Sequence, residues 1–373
     1  MRISLVRALA LLLSTAPLSI HGVSAQDVKY ASNYALVDDS QPAEPTAAAE
    51  TAPASGPSCT GSCNSCGSAN CGGCESCDNA CGRCGSLCAV CDECPKRGMV
   101  LFTGIDSWRG FSDGSFQNNT GTSTGLNYGT RLGRFSELTG IGFQAGGSLG
   151  VYDWSGRQSS RHDTNAAQTQ GFLTYGLFRK ANENSNWSAG LVNDWMFNDN
   201  FSVYAQNPTL SQWRGQISYA MSARNELGVW ATRRGRGDTR TDFAGPVSYR
   251  AIDQMNLFWH HKFDQGADSW LWVGRPDPHR LSGPGSLGDF IIGGNVNIPV
   301  SERFAVYTNV AYMHPSAKPG PAAAREDAFS ISVGIAFYPG WNARSRTVAG
   351  QCWMPLMPVA NNGNFFVDSS SSF

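Results

Sequence analysis

Residues 326–338 read EDAFSISVGIAFY, and this stretch decides the fold class. Phe329, Ile331, Val333, Ile335 and Phe337 fall on one face of an extended chain, and Ser330, Ser332, Gly334 and Ala336 on the other. Side chains alternate across a strand with a period of two, so the segment has one apolar face and one small, mostly polar face. Working backwards, the same alternation recurs in 289–299, where Phe290, Ile292, Val296 and Ile298 oppose Gly293, Asn295 and Asn297. It recurs in 211–220, with Trp213, Ile217 and Tyr219 set against Gln212, Arg214 and Gln216, and in 140–154, with Ile141, Phe143, Leu149 and Val151 against Gly142, Gln144 and Gly150.

In all, the pattern predicts twelve strands, at 99–105, 123–131, 140–154, 167–179, 187–196, 211–220, 226–232, 251–261, 269–274, 289–299, 304–313 and 327–338. Their connections alternate between short (132–139, 180–186, 221–225, 262–268, 300–303) and long (106–122, 155–166, 197–210, 233–250, 275–288, 314–326). An up-and-down outer-membrane barrel has tight turns at one rim and longer loops at the other. About ten residues at about 3.3 Å each, tilted by about 40–45°, climb about 23–25 Å, the height of such a barrel's apolar band. Aromatics near strand ends (Tyr152, Trp154, Trp187, Trp195, Trp213, Tyr219, Trp259, Trp270, Tyr338, Trp341) suit an interfacial girdle. The expected fold is therefore all-β, a closed antiparallel up-and-down transmembrane β-barrel of about twelve strands over 99–338, preceded by a disordered Cys-rich arm.

Composition agrees with an exterior that is not water. Of the 28 basic residues only five are lysines, whereas soluble sheets commonly protect their edges with lysine. The near-balance of 28 basic and 29 acidic residues, without a reading motif, excludes nucleic acid as a partner. Arg2 and Arg7, the apolar run Ala8–Leu13 and the small residues Val23-Ser24-Ala25 read as a secretory signal peptide over 1–25. Residues 26–58, rich in Ala, Pro, Ser and Glu, read as a disordered acidic linker.

Residues 59–98 hold eleven of the twelve cysteines: Cys59, Cys63, Cys66, Cys71, Cys74, Cys77, Cys81, Cys84, Cys88, Cys91 and Cys94. The residues between them are too small and polar to form a core, so cross-links must supply any order. In an exported chain these are disulfides first. The spacing also permits a Cys-only metal site at Cys71, Cys74, Cys77 and Cys81, with zinc as the alternative; no other cofactor is expected. That set also has an iron–sulfur spacing, but Gly82 stands where proline would follow the fourth cysteine. Eleven is odd, so Cys352 in the tail (339–373) is the expected partner of Cys59 or Cys94, or of another chain. The tail and the Cys-rich region together resemble an uncharacterised family of secreted planctomycete envelope proteins, a resemblance that implies no activity and no site residues.

Motifs for chemistry are few. Gly146-Gly147-Ser148-Leu149-Gly150 fits G-x-S-x-G but lies inside a strand, not at the strand–turn–helix elbow that motif needs. His260 and His261 fall at the short-turn end of their strand, and no Ser/His pair can be named, so no enzyme is expected. Arg236-Gly237-Asp238 belongs to a basic loop suited to solvent or anionic headgroups. Gln212, Arg214, Gln216, Ser330 and Ser332 are expected to face the lumen, where small neighbours leave room for water.

These readings converge on a passive pore or small-solute channel in the outer membrane of a Gram-negative-type cell, with a periplasmic Cys-rich arm. Its partners would be outer-membrane lipid and, through cysteines, other envelope proteins. Two rivals stand beside it: a structural envelope protein anchored by the barrel, and a soluble secreted β-protein.

Overall fold

The computed structural model describes residues 97–370, except 112, 114–117, 159–162, 183–184, 243–244, 264, 280, 282–286, 316–327, 341–342, 345–347 and 349–352. The signal peptide, the acidic linker, Cys59–Cys94, Cys352, His162, Trp341 and Phe373 all lie outside the described residues. The chain divides into two units, Met1–Cys74 and Glu75–Phe373, and the second holds everything described below.

Twelve strands form one closed antiparallel barrel. They are β1 (Arg97–Arg109), β2 (Asn119–Arg131), β3 (Ile141–Tyr152), β6 (Gln168–Arg179), β7 (Trp187–Asp199), β8 (Thr209–Ala220), β9 (Asn225–Arg234), β12 (Gln254–Lys262), β13 (Asp268–Pro276), β14 (Gly288–Pro299), β15 (Phe304–Pro315) and β16 (Ala328–Phe337). Each pairs with the next, and β1 closes on β16 through Leu101↔Phe337 to Arg109↔Phe329. Closure leaves no strand edge, so the ladder satisfies the backbone all round.

The remaining elements sit in the connections. A short helix, α1 (Arg134–Thr139), fills the first turn and ends on Gly140, whose φ of 71° supplies the left-handed cap. The β4 (Arg157–Gln158) and β5 (Asp163–Thr164) strands form a small hairpin. β10 (Asp238–Asp242), β11 (Gly245–Ala251) and β17 (Val367–Ser369) make a three-stranded sheet at the long-loop rim. Ala251 thus belongs to this extra sheet, and the eighth barrel strand begins three residues later than its alternation suggests. The sheet went unread because 233–250 looks like a solvated basic loop and its third strand lies over a hundred residues away.

Alternation sorts the side chains by face. In β16, Ile331, Val333 and Ile335 are 45–52% exposed, while Ser330 and Ser332 are 3% and 6% exposed. The outward apolar face continues round the wall through Ile105, Leu191, Ile217, Leu257, Leu271, Val273 and Ile292, all exposed. The aromatic girdle is partial. Trp154, Trp187, Trp213, Tyr219 and Trp259 are exposed, but Tyr152 and Tyr338 are buried, and Trp270 stacks on buried His260 and Phe258.

The seam register has a direct check. Ile105 sits opposite Val333, and directly opposed residues have Cα atoms within disulfide reach. Combining Ile105→Cys with Val333→Cys should give an interstrand disulfide that peptide mapping detects under mild oxidation. Combining Ile105→Cys with Phe329→Cys should give none, and efficient cross-linking there would mean a different register.

Candidate functional site

The small inner residues do not leave a water-filled lumen: the C-terminal segment occupies it. After β16, the chain first skirts the short-turn rim. Ala343 N donates to Glu302 O (2.6 Å), Val348 N to Ala223 O (2.8 Å), and Val348 packs on Ala181 and Ala220. Trp353 and Met354 then enter beside β1–β3. Glycines make the space: a Cβ at Gly142 would lie 2.9 Å from the Trp353 ring, at Gly98 2.6 Å from Met354 Sδ, and at Gly146 2.6 Å from Val359 Cγ2.

From there, wall amides replace the ladder that an unpaired segment lacks. Gln144 Oε1 accepts from Leu356 N and Met357 N (both 3.1 Å), while Gln144 Nε2 and Asn127 Nδ2 both donate to Met357 O (both 2.9 Å). Ala360 N donates to Thr174 Oγ1 (2.9 Å), and Asn362 Nδ2 to Gln170 Oε1 (2.8 Å). Asn364 O accepts from both Gln212 Nε2 and Gln254 Nε2 (3.1 Å each). Each satisfied buried group avoids a desolvation cost of about 1–3 kcal/mol.

Arg214 is the charged member of this lining. Its guanidinium grips Asp194 at 3.0 and 3.1 Å and donates to Pro358 O at 2.7 Å. Asp194 also accepts from Thr174 Oγ1 (2.6 Å) and Gln212 Nε2 (3.1 Å), so each of its oxygens accepts two hydrogen bonds in this buried pair.

At the long-loop rim the segment is built into a cap. Ile252 N donates to Phe366 O (2.9 Å), β17 pairs with β11, and Arg250 meets Asp368 at 3.1 Å. Val359, Phe365 and Val367 pack with Trp108, Tyr152, Tyr249 and the inward-folded loop residues Phe201 and Tyr204. Phe366 joins a second cluster with Ile291, Met313 and Ala328.

What remains open is a cavity of about 340 Å³ between the segment and the opposite wall, reaching down to Lys180, Lys262 and Tyr338 at the short-turn rim. Glu226 and His260 are 2.9 Å apart there, Lys262 and Asp268 2.6 Å, and Asp106 holds Tyr152 and Ser332 at 2.7 and 3.0 Å.

The structure places Gln212, Arg214, Gln216, Ser330 and Ser332 on the inner face, all buried. Gln212 and Arg214 hold the tail; Gln216, Ser330 and Ser332 line the cavity. Ser148 also lines it, from the middle of a continuous strand. Asp238 of the Arg236-Gly237-Asp238 tripeptide is tied down by Thr209 N (2.9 Å) and Arg240 (2.6 Å). Among the described residues, no group of three or more His, Cys, Asp or Glu could hold a metal ion. The tail's role was missed because it has no period. The signal that could have found it is its apolar content (Met354, Leu356, Met357, Val359, Phe365, Phe366), too high for a solvated tail.

A barrel closed by its own C-terminus is the class the geometry defines. The chain belongs to a family of unknown function, DUF6666, whose model matches residues 98–367, the barrel and the threaded segment together. No curated protein matches the chain. Among solved structures, one reported under "Unveiling the Mechanism Behind the in-meso Crystallization of Membrane Proteins" shares 10% identity over 73% of this chain and 99% of that one, at a TM-score of 0.44. The NanC porin shares 10% over 64% and 98% (TM-score 0.37), and the P. putida toluene transporter TodX 9% over 66% and 89% (TM-score 0.34). These values are too low to carry a substrate or an activity across.

Two outcomes follow from the tail contacts and the rim charges. Gln144→Ala strands two buried N–H groups, so the urea midpoint should fall by an amount equivalent to about 2–4 kcal/mol. Hydrogen exchange should speed at Leu356 and Met357 before it speeds in β3. Separately, desolvation, reinforced by Lys262 and opposed by Glu226 and Asp268, lowers the Lys180 pKa from 10.5 to about 7. Between those values the unfolded chain binds more protons, so this group makes stability rise with pH from about 7 to 10.5, with its cost fully present below 7. Lys180→Met should therefore stabilise most below about pH 7 and least near pH 10.5 in urea titrations.

Proposed function

We propose that this protein is an outer-membrane β-barrel of the channel type, held shut in its resting state by residues 353–370. The observation that carries the membrane reading is the apolar outer face, with exposed large apolar side chains on ten of the twelve strands, from β6 round to β1. Monomeric soluble proteins seldom expose a contiguous apolar patch above a few hundred Å², which weighs against a soluble secreted protein. The closed state rests on the wall-to-tail hydrogen bonds and the two apolar clusters at the long-loop rim. Passage of a small solute then requires the segment to shift.

Arg97 and the short turns share one rim, so in this reading the Cys-rich arm and the short turns lie in the periplasm. A second reading is favoured by the extent of the tail's bonding: a filled barrel serving as an anchor, with the arm cross-linked to other envelope components.

Planar-bilayer recording separates the two. The full chain should be nearly silent, and a chain lacking 353–373 should give stepwise currents. Steady porin-sized current from the full chain would overturn the closed state, and silence from both would leave the anchor. Val333→Arg, which puts a charge on the lipid face, should cost about 2–4 kcal/mol and abolish the heat-modifiable folded band, whereas Val333→Leu should keep it. An unchanged band in Val333→Arg would refute the membrane reading.

A further inference from the structure

The wall opposite the threaded segment carries an ordered inner row. By strand register, Glu226 pairs with His260, His260 with Trp270, Trp270 with Asn295, Asn295 with Asn309, Asn309 with Ser332, and Ser332 with Asp106. One row nearer the short turns, Lys262, Asp268, Asn297 and Tyr307 follow in the same order. One row nearer the long loops, Phe258 faces Trp272.

Two features set this row apart from the rest of the lining. Elsewhere, wall amides such as Asn127, Gln144, Gln212 and Gln254 hydrogen-bond the tail. Among the described residues, the neighbouring amides of Asn295 and Asn309 have no hydrogen-bond partner, although both line the cavity. Three further lining side chains, each over nine-tenths buried, carry an unpaired polar atom: Asn127 Oδ1, Gln216 Nε2 and His260 Nε2. Those three atoms are sealed off by their neighbours, whereas Asn295 and Asn309 are only half-buried, so it is their amides that open onto the cavity and can meet a molecule that enters it. Beside them stand the indoles of Trp230, Trp270 and Trp272.

Flat apolar rings next to unpaired amides match a solute with an apolar C–H face and a rim of hydroxyls. Lys262 is paired with Asp268 and Glu226 is bonded to His260, and Lys180 and Asp106, also in the lining, are of opposite sign, so the site has no strong preference for a cation or an anion. A volume of about 340 Å³ falls at the small end of the range for ligand pockets.

We propose that the cavity binds a small neutral saccharide, its ring against Trp270 and its hydroxyls on Asn295 and Asn309, reached from the short-turn rim. The site rests on the closed lumen proposed above, because the tail forms its second wall. It does not depend on conduction. Binding is therefore read on the full chain in a detergent without a sugar headgroup, where bilayer silence or current has no bearing on the outcome.

Titration calorimetry and tryptophan fluorescence would use glucose, maltose and N-acetylglucosamine, with succinate and toluene as charged and apolar controls. At least one saccharide should bind and shift the emission, with neither control doing so. Asn309→Ala should weaken that saccharide about tenfold, equivalent to one lost hydrogen-bonding contact. Trp270→Leu should weaken it further, with folding of both variants checked by heat-modifiable migration. If Trp270→Leu fails to fold, Asn309→Ala with Asn295→Ala decides alone. Absence of saccharide binding up to about 10 mM, binding unaltered in the folded variants, or binding of a control in place of the sugars would each overturn the proposal.

Discussion

The pairing of β1 with β16 is the constraint on which everything else depends. Until that seam closes, twelve strands are a curved sheet with two unsatisfied edges. Once it closes, the backbone is satisfied throughout and only two surfaces remain, one outside and one inside. Alternation then assigns every side chain to one or the other. The outer surface is predominantly apolar along the strands. The inner surface is polar and partly bare, with glycine at 98, 142 and 146, and it is this bareness that admits a second piece of chain.

The filling segment is held by chemistry unlike that of the wall. It has no strand partner until β17, so its N–H and C=O groups find side-chain amides instead: Gln144 alone meets Leu356 N, Met357 N and Met357 O. Bonds of this kind fix position residue by residue, whereas a β-ladder would tolerate sliding by two. Arg214 adds a charged fixed point, since its guanidinium is oriented by Asp194 before it reaches Pro358 O. Where wall amides do not meet the tail, at Asn295 and Asn309, the lumen stays open.

How much of this the sequence disclosed follows from what periodicity can encode. A strand facing two different environments must alternate, so twelve strands could be placed along the sequence, with clear faces in 140–154, 211–220, 289–299 and 327–338 from patterns such as FSISVGIAF, while 99–105, 187–196 and 269–274 alternate too weakly to assign a face. The odd positions of β8 and β16 could be assigned without coordinates because one face is Trp, Ile and Val and the other Gln, Arg and Ser. Residues 353–370 face a wall on several sides at once and therefore show no period. Likewise β11 and β17, 116 positions apart from Ala251 to Val367, announce their pairing in neither segment. The unpaired amides were visible only as generic lumen polarity, because a sequence does not say which amides the tail will use.

The route of the tail also orders events in time. It leaves β16 at the short-turn rim and finishes in the cap at the long-loop rim, bonded to residues more than 200 positions earlier, such as Asn127 and Gln144. A segment lying inside a ring of strands must either be pushed through the finished ring or be enclosed as the ring shuts. The cap at the far rim, where Tyr249 and Tyr204 are buried against Phe201 and Trp108, leaves little clearance for the first route. Enclosure makes the C-terminus a mandrel around which the sheet curls. Residues 353–370, which follow all twelve barrel strands in the chain, would then be needed before the first strand can meet the last, which ties barrel closure to a segment outside the barrel wall.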